Sequence, residues 1–295
     1  MKNIIVILLS VLMVITLAAC SQKTSESVQG IEEKPIFKIG AIPDQNATEL
    51  NRNMEGMAKY LSEKTGLRVE YVPSVDYAAL VMAFERDEMQ LVWFGGLTGV
   101  QARNAAPGSE AIAQRPRDAE FQSVFIVQKD LGITKSEDLK GKTITFGSES
   151  STSGHLMPRY LLMEAGIDPI NDFNGQPNFS GSHDKTIKLV ESGAFEIGAL
   201  NISVWEKAVR EGKVDLNRVD VFYTTPTYYD YNWTINNVDQ TFGEGTKAAV
   251  KEALLSMGSG QEELLQFFQT DKFIETRNEN YGAIETVAKQ LGIIK

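Results

Sequence analysis

Cysteine is almost absent from this sequence: Cys20 is the only one in 295 residues, and it lies close to the amino terminus. A single thiol excludes an internal disulfide and any metal cluster held by several cysteines. Histidine is nearly as scarce, because the chain has only His155 and His183, and neither stands among clustered carboxylates that would complete a zinc site. The sequence therefore predicts no metal site and no cofactor.

Positive charge is also in deficit. The chain has 29 basic and 39 acidic residues, which gives a formal net charge of −10. Phosphate backbones are bound by basic faces, so this balance argues against nucleic acid as a partner. It does not exclude small anions, because backbone amides and helix N-termini can bind them within an acidic protein.

The amino terminus has the features of a targeting segment. An apolar run from Ile4 to Ala19 follows Lys2, and small residues precede Cys20. Such a run predicts a secretory signal over residues 1–19; an uncleaved membrane anchor is the alternative, although the run is short for a bilayer. The Leu-Ala-Ala-Cys sequence resembles the lipobox of bacterial lipoproteins, which implies lipidation at Cys20. Residues 20–35 then form a polar, flexible tether to the extracytoplasmic side of the cell membrane, at the cell surface or in the periplasm.

Strand and helix patterns alternate from residue 37 onward. Apolar runs such as FKIGAIP, RVEYVP and QLVWFGG are each followed by a helix pattern, and a second series begins with SVFIVQKD at residue 123. This spacing is typical of βαβ units, so we expect mainly parallel sheets. The last seventy residues have helical patterns.

This order predicts an α/β fold of two lobes, with one lobe inserted into the other. Lobe 1 comprises residues 36–117 plus 226–295, and lobe 2 comprises residues 118–225. The chain then crosses between the lobes twice, and the two crossings form a hinge. Ligands of open α/β sheets bind at the carboxyl ends of strands, so we expect the site in the cleft between the lobes.

Five predicted strands end in loops of hydroxyl, amide and glycine residues that lead into helices. The loops are IPDQNAT (42–48), WFGGLTG (93–99), GSESSTSGH (147–155), FSGSHD (179–184) and NIS (201–203). Free N–H groups at helix N-termini bind anions, with help from nearby hydroxyls. One such loop alone is usually a helix cap. Five at equivalent strand ends predict a site for a small anion.

Other side chains leave two interpretations open. Both histidines follow serine loops at predicted helix starts, where an imidazole can contact an anion or act only as a cap. Arg115 and Arg117, beside the first crossing, can donate to an oxyanion or remain solvated hinge charges. The aromatic segment Tyr228–Trp233, after the second crossing, can cover a ligand or pack in the core.

A catalytic serine is the rival interpretation of the serine-rich loop. Residues 147–151 (GSESS) approach a Gly-x-Ser-x-Gly elbow but lack its second glycine. Asp184 is adjacent to His183, and neighbouring residues on one helical turn point in different directions. We predict that the protein is not an enzyme, with a hydrolase that uses Ser150 or Ser151 as the alternative.

Several motifs resemble one family. FKIGAIP, VWFGG, SEDLKGKTITFGS and STSGHLMPR are similar to segments of the solute-binding lipoproteins of phosphate, phosphite and phosphonate ABC transporters. The run FGGLTGVQAR (Phe94–Arg103) resembles the branch named for selenate binding, and the resemblance covers nearly all of Phe37–Lys295. It implies the type II periplasmic-binding fold. It also implies a monomer that captures a small oxyanion and delivers it to an ABC permease and its ATPase.

In that family the serine loop binds oxyanion oxygens, which implies that Ser150–Ser153 contact the ligand, with His155 near. Many phosphonate binders have a tyrosine after the W-F-G loop, where this chain has Leu97 and Thr98, so Thr98 remains as a possible donor. The candidate ligand residues are Gln45, Phe94, Thr98, Ser150, Ser151, Thr152, Ser153, His155, Ser182, His183 and Asn201.

The anion is inferred from Asn201. Several phosphonate and phosphite binders carry an aspartate at this strand end, which accepts the proton of a monoprotonated anion. An amide donates instead, so Asn201 favours a fully ionised anion such as selenate or sulfate. The alternatives are a phosphonate, phosphite or phosphate binder of the same transporter class, or a sensing lipoprotein that signals to a membrane partner.

Overall fold

Two β-sheets organise the part of the chain that the computed structural model describes, residues 34–295. The predicted signal peptide, Cys20 and nearly all of the predicted tether lie outside these residues. Among the described residues, none of the helices combines the length and the apolar character that a membrane span requires.

The described elements run in the following order. The strands are β1 (Ile36–Ala41), β2 (Arg68–Tyr71), β3 (Leu91–Phe94), β4 (Glu110–Gln114), β5 (Ser123–Gln128), β6 (Ile144–Phe146), β7 (Asn178–Phe179), β8 (Ile197–Asn201), β9 (Val219–Thr224), β10 (Asn232–Ile235) and β11 (Ile274–Glu275). The helices are α1 (Ala47–Thr65), α2 (Tyr77–Glu85), α3 (Gly96–Ala105), α4 (Met157–Glu164), α5 (His183–Glu191), α6 (Ile202–Arg210), α7 (Asp239–Phe242), α8 (Thr246–Leu255), α9 (Glu262–Phe267) and α10 (Gly282–Gln290). A π-helix, Thr152–Leu156, leads directly into α4.

The strands form one sheet in each lobe. The first sheet has the order β11-β4-β10-β3-β1-β2, and the second has the order β7-β6-β8-β5-β9. All strands of the second sheet lie within residues 118–225, and all strands of the first lie outside that range. The carboxyl-terminal part of the chain therefore returns to complete the sheet that the first strands begin.

The expectation of mainly parallel sheets is wrong. β1 is parallel to β2 and β3, but β10 is antiparallel to β3 and β4, and β11 is antiparallel to β4. In the second sheet, β6 is parallel to β7 and β8, whereas β5 is antiparallel to β8 and β9. Of the reversed strands, β5 and β10 begin just after a crossing, whereas the short β11 lies near the end of the chain.

Helix α1 illustrates how the local sequence sets element boundaries. The Asn46 side chain accepts a hydrogen bond from the Glu49 amide at 3.1 Å, which caps the first turn. Gly66 ends the helix with a left-handed φ of 71°, a conformation that favours glycine. Leu50, Met54 and Leu61 lie on the buried face, as the helical period requires.

Strand β5 shows the two-residue period of a strand covered on both faces. Val124 and Ile126 pack in a core with Leu200 on one side of the second sheet. Phe125 and Val127 pack in a separate core on the other side. Helices therefore cover both faces, and the loops at the strand ends are left to meet the other lobe.

The two crossings lie side by side. Residues 115–122 lead from β4 to β5, and residues 225–231 lead from β9 to β10. Phe121 and Tyr228 form an antiparallel bridge between them, with reciprocal backbone hydrogen bonds of 2.8 and 2.9 Å. The Asp230 amide also donates to the Asp118 carbonyl at 3.0 Å. The lobes are thus joined by two segments that are hydrogen-bonded to each other.

Candidate functional site

The serine-rich loop turns into the π-helix through a close backbone approach. The Ser151 hydroxyl accepts a hydrogen bond from the Gly154 amide at 2.9 Å and caps the turn. The Gly147 amide donates to the Gly154 carbonyl at 2.9 Å, which ties the end of β6 to the π-helix. A Cβ atom at Gly154 would lie 3.0 Å from His183 Cε1, so glycine at this position lets the π-helix contact the start of α5.

Thr152 and Ser153 face the first lobe. Thr152 Oγ1 accepts a hydrogen bond from the Leu97 amide, at the start of α3, at 2.9 Å. Asp230, in the second crossing, accepts a hydrogen bond from the Gly96 amide at 2.8 Å. A Cβ atom at Gly95 would lie 3.3 Å from both Thr152 Oγ1 and Asp230 Oδ1, so the hydroxyl and the carboxyl group lie close together. The Thr152 and Ser153 side chains both counteract the rise that burial causes in the pKa of Asp230. The hydroxyl loop of one lobe thus meets a helix N-terminus and a carboxyl group of the other.

A second set of buried polar groups joins the lobes around Tyr231. The Tyr231 hydroxyl donates to Asp44 Oδ2 at 2.7 Å and accepts from Asn201 Nδ2 at 2.8 Å. His183 donates its backbone N–H to the Asp44 carbonyl at 3.0 Å, and its Nε2 atom lies 3.5 Å from the Tyr231 hydroxyl. Tyr77 is buried beside Ser151 and is influenced by the charges of Asp44 and Asp230. We call these buried groups together the interlobe cluster, which consists of Asp44, Tyr77, Ser151, Thr152, Ser153, His183, Asn201, Asp230 and Tyr231.

Burial changes the ionisation of this cluster. It raises the pKa of Asp230 to about 7, although the Gly96 amide acts in the opposite direction. It raises the pKa of Asp44 to about 6, against the lowering effects of Tyr231 and Arg115. Burial also lowers the pKa of His183 to about 4, so the imidazole is neutral at physiological pH. The cluster therefore contains carboxyl groups that can hold a proton near neutrality.

Three buried polar atoms at or beside the cluster have no hydrogen-bond partner among residues 34–295: the Tyr77 hydroxyl, Asp230 Oδ2 and Ser203 Oγ. The Tyr77 hydroxyl lies near Ser151 but makes no complete hydrogen bond. Buried polar groups without partners are costly, and those that persist in a folded protein call for an explanation. Here the donor-rich loop and the unpaired atoms converge on one region between the lobes, which is the arrangement of a site for a small polar ligand.

Five predicted ligand residues belong to the interlobe cluster: Ser151, Thr152, Ser153, His183 and Asn201. The side chain of Asn201 already has partners within the protein, and its predicted role as a donor to the ligand stays a prediction. Its Oδ1 atom accepts from the Ser203 and Val204 amides at 2.6 and 3.1 Å and so caps α6, while its amide nitrogen bonds Tyr231. Asp44 and Asp230 place two carboxyl groups in the same cluster.

Two other residues of the serine loop face away from the cluster. His155 packs against Phe146 and Phe179, with ring centroids 5.1 and 4.9 Å away, and its Nδ1 atom lies 2.7 Å from the Glu149 carbonyl oxygen. Ser150 lines the same cavity as His155. The π-helix presents residues 151–153 and 155 to different sides, and the contact predicted for His155 with the ligand stays a prediction.

Four more candidates have structural contacts. Phe94 is fully buried in the core against Phe84. Thr98 exchanges hydrogen bonds with the main chain of Gly95 and caps α3, and its predicted role as a ligand donor stays a prediction. Ser182 donates to the Asp184 carboxylate at 2.6 Å at the start of α5. Gln45 lines a small cavity of about 20 Å³ beside Asp44, Asn201 and Tyr231, which is large enough for one water molecule.

The structure also shows where the two arginines and the aromatic segment lie, whose roles the sequence left open. Arg115 is buried, makes two hydrogen bonds to Asp118 at 2.6 and 2.7 Å, and donates to the Phe268 carbonyl at 2.9 Å. Arg117 pairs with Glu206 at 3.0 Å near the surface. Trp233 packs in the aromatic core, whereas Tyr228 and Tyr231 lie beside the cleft. The arginines therefore belong to the hinge, and part of the aromatic segment belongs to the site.

Sequence reasoning did not name Asp44, Tyr77 or Asp230 as candidates, and it left the role of Tyr231 open. The sequence signal for Asp44 was its position as the one charged residue of the IPDQNAT loop. The signal for Asp230 was its position as the one acidic residue of TYYDYNW. The sequence offered no signal for Tyr77, which begins an amphipathic helix and reads as a core residue. The described residues contain no group of three or more His, Cys, Asp or Glu side chains that could hold a metal ion.

Two α/β lobes, joined by two paired crossings and enclosing a buried polar cluster, define a two-lobed binding protein. Residues 39–281 match the family model described as "ABC transporter, phosphonate, periplasmic substrate-binding protein". The chain therefore belongs to the family of phosphonate-binding periplasmic proteins of ABC transporters, and it has the type II periplasmic-binding fold.

Individual relatives agree with this assignment. The chain is 41% identical over 271 residues to the probable ABC transporter phosphite binding protein PhnD1 of Prochlorococcus marinus, and the match covers 88% of this chain and 91% of that protein. A structure of PhnD1 from that organism in complex with methylphosphonate superposes with a TM-score of 0.84, over 88% of this chain and 99% of that one. A phosphonate transporter component from Pseudomonas aeruginosa, 21% identical, has a TM-score of 0.77 over 86% of each chain and supports the fold alone.

Proposed function

We propose that this chain binds a monoprotonated phosphorus oxyanion, a small phosphonate or phosphite, in the interlobe cluster and delivers it to an ABC permease and its ATPase. The observation that carries the proposal is Asp230: a buried carboxyl group beside the Thr152 and Ser153 hydroxyls, with one oxygen that lacks a hydrogen-bond partner. The 41% identical relative, PhnD1 of Prochlorococcus marinus, is named for phosphite binding and has a structure in complex with methylphosphonate, which supports the same class of ligand.

The candidate anions differ in whether they carry a proton near neutral pH. Phosphonate, phosphite and phosphate hold a proton near neutral pH, whereas sulfate and selenate do not. A buried carboxylate repels a fully ionised anion, but it can share a proton with a monoprotonated one through a charge-assisted hydrogen bond. Because the pKa of Asp230 is about 7, the carboxyl group and the anion can share one proton over the physiological range. This reverses the preference for selenate or sulfate that was inferred from Asn201.

The remaining donors fit the other oxygens of a tetrahedral anion. The Ser151, Thr152 and Ser153 hydroxyls stand at the start of the π-helix, and the Tyr77 hydroxyl has no complete hydrogen bond of its own. Direct contacts between lobes, such as Leu97 to Thr152 and Asn201 to Tyr231, stabilise the closed arrangement. A ligand that adds contacts to both lobes shifts the population further towards closure, and closure presents both lobes to the permease.

Calorimetric titration with methylphosphonate, phosphite, phosphate, sulfate and selenate tests the anion. We expect methylphosphonate or phosphite to bind most tightly, and sulfate and selenate to bind weakly. Asp230→Asn should weaken methylphosphonate binding by at least about tenfold, because the shared proton is lost. Asp220→Asn, an exposed acid on β9, is the matched control. Tighter binding of selenate than of methylphosphonate and phosphite would refute the proposal.

We also propose that the protein is a monomer tethered to the membrane by a lipid on Cys20. The support is the Leu-Ala-Ala-Cys sequence followed by a polar segment without aromatic residues. Fractionation of cells that express the wild type or Cys20→Ser, with incorporation of labelled palmitate, tests the anchor. The proposal predicts label and membrane association for the wild type only. Equal membrane association of the two would contradict it.

A further inference from the structure

A second cavity lies on the far side of the π-helix from the interlobe cluster. It has a volume of about 490 Å³ and receives Gln101 and Ile293 from the first lobe, together with His155 and Arg159 from the second. Volumes of this size are typical of small-molecule sites. The cavity is separate from the cluster because Thr152 and Ser153 point to one side of the π-helix and His155 to the other.

One wall of this cavity is apolar and aromatic, and it is partly open to solvent. The rings of Phe146, His155 and Phe179 contact one another with centroid separations of 4.9 to 5.9 Å. Ile170 is 49% exposed and Phe179 is 36% exposed. Residues 34–295 have seven exposed large apolar side chains, and these two both lie in this wall. Apolar side chains that gather at the mouth of a cavity are typical of a binding surface.

The polar groups of the cavity include an unpaired cation. Arg159 makes no ion pair among the described residues, and its Nε atom is buried without a hydrogen-bond partner. His155 uses Nδ1 at the Glu149 carbonyl, which leaves Nε2 without a partner in residues 34–295. Burial, with Arg159 acting in the same direction, lowers the pKa of His155 to about 4, so the ring is neutral. Glu149 is the one acid on the lining and is exposed to solvent.

We infer that this cavity is a second ligand site, for a small organic anion that has a flat or branched apolar body. The apolar body packs on Phe146, His155 and Phe179, and the anionic group pairs with Arg159. The guanidinium supplies planar hydrogen bonding to a carboxylate or sulfonate, and the aromatic walls lower the local dielectric and strengthen that pair. The site takes a different class of ligand from the interlobe cluster, whose surroundings are donors and carboxyl groups.

The fluorescent aryl sulfonate 8-anilinonaphthalene-1-sulfonate is a suitable probe, titrated into the folded protein with and without saturating methylphosphonate. We expect one probe per chain, with binding retained in the presence of methylphosphonate. Arg159→Met should weaken the probe about tenfold by removing a charged hydrogen-bond donor. Phe179→Ser, at a partly exposed position, should weaken it as well, whereas Arg86→Met, at an exposed position away from the cavity, should leave binding unchanged.

Circular dichroism establishes that each variant is folded. Probe binding that is unaffected by both Arg159→Met and Phe179→Ser, or absent in the wild type, would overturn the inference. One-for-one displacement by methylphosphonate would do the same, since it would assign the probe to the interlobe cluster. The comparison of the three variants needs no cleft ligand, so it stands even if the proposed anion is wrong.

Discussion

Asp230 links the proposed recognition of the anion to protein stability at the level of a single side chain. Burial raises its pKa from 3.8 to about 7, so the folded protein retains a proton that the unfolded chain releases between these values. A group of this kind contributes stability that is fully present below pH 3.8 and lost as the pH rises through about 7. Without ligand, this residue therefore destabilises the fold most strongly above neutrality.

Asp230→Asn should accordingly stabilise the unliganded protein more at pH 8 than at pH 5. The amide oxygen can still accept from Gly96, while the cost of a buried charge disappears. The expected gain at pH 8 is roughly 2–4 kcal/mol, from the pKa difference between the folded and unfolded states. Urea unfolding at both pH values measures it. An equal effect at pH 5 and pH 8 would show that Asp230 does not titrate in this range.

Substitution of Tyr77 distinguishes a role of its hydroxyl in ligand binding from a role in folding. Because its hydroxyl lacks a complete hydrogen bond, Tyr77→Phe should leave the free energy of unfolding unchanged or slightly higher. Its affinity for methylphosphonate should fall about tenfold if the hydroxyl binds the anion. Tyr281→Phe is the control, since that buried hydroxyl donates to Gln114 at 3.0 Å and its removal should lower stability alone. Calorimetry and urea unfolding of both variants distinguish these results.

Among the larger elements, the hinge depends on one buried ion pair. Arg115→Met should cost roughly 3–5 kcal/mol of folding free energy, because it leaves the Asp118 carboxylate buried without its partner. Arg117→Met removes an exposed pair of the same hinge and should cost about 1 kcal/mol or less. Equal destabilisation of the two variants in denaturant unfolding would contradict the structural role of Arg115.

The sequence predicted those helices and strands whose boundaries or hydrophobic patterns lie within the element itself. Helix α1 carries its cap at Asn46 and its stop at Gly66, and β5 is an uninterrupted apolar run. Strands β4, β10 and β11 were missed, since EAIAQ and NWTI are short and mixed in polarity. Their strand geometry comes from pairing with distant partners: Trp233 lies opposite Trp93 and Ala113. The same limit applies to the site, where Asp44 meets Tyr231 only through the fold.

At the scale of the whole molecule, charges join the lobes as well as hydrogen bonds. Lys207 on α6 pairs with Glu49 on α1, across the cleft. Lys207→Met should speed release of methylphosphonate about twofold to fivefold, in line with a partly exposed ion pair. Lys251→Met removes a pair with Glu275 within the first lobe and should not change release. Stopped-flow displacement measures both rates, and an unchanged rate for Lys207→Met would exclude this pair from closure.

The second crossing, residues 225–231, carries Asp230 and Tyr231 in the same short stretch that joins the two lobes. Under the proposed function, the backbone that rotates on closure is also the backbone that holds the recognising side chains. Ligand preference and opening mechanics are then coupled in this protein. Substitutions selected for a new anion at these positions will change how far and how fast the molecule opens, and transport rates will follow affinity in ways that equilibrium binding alone does not predict.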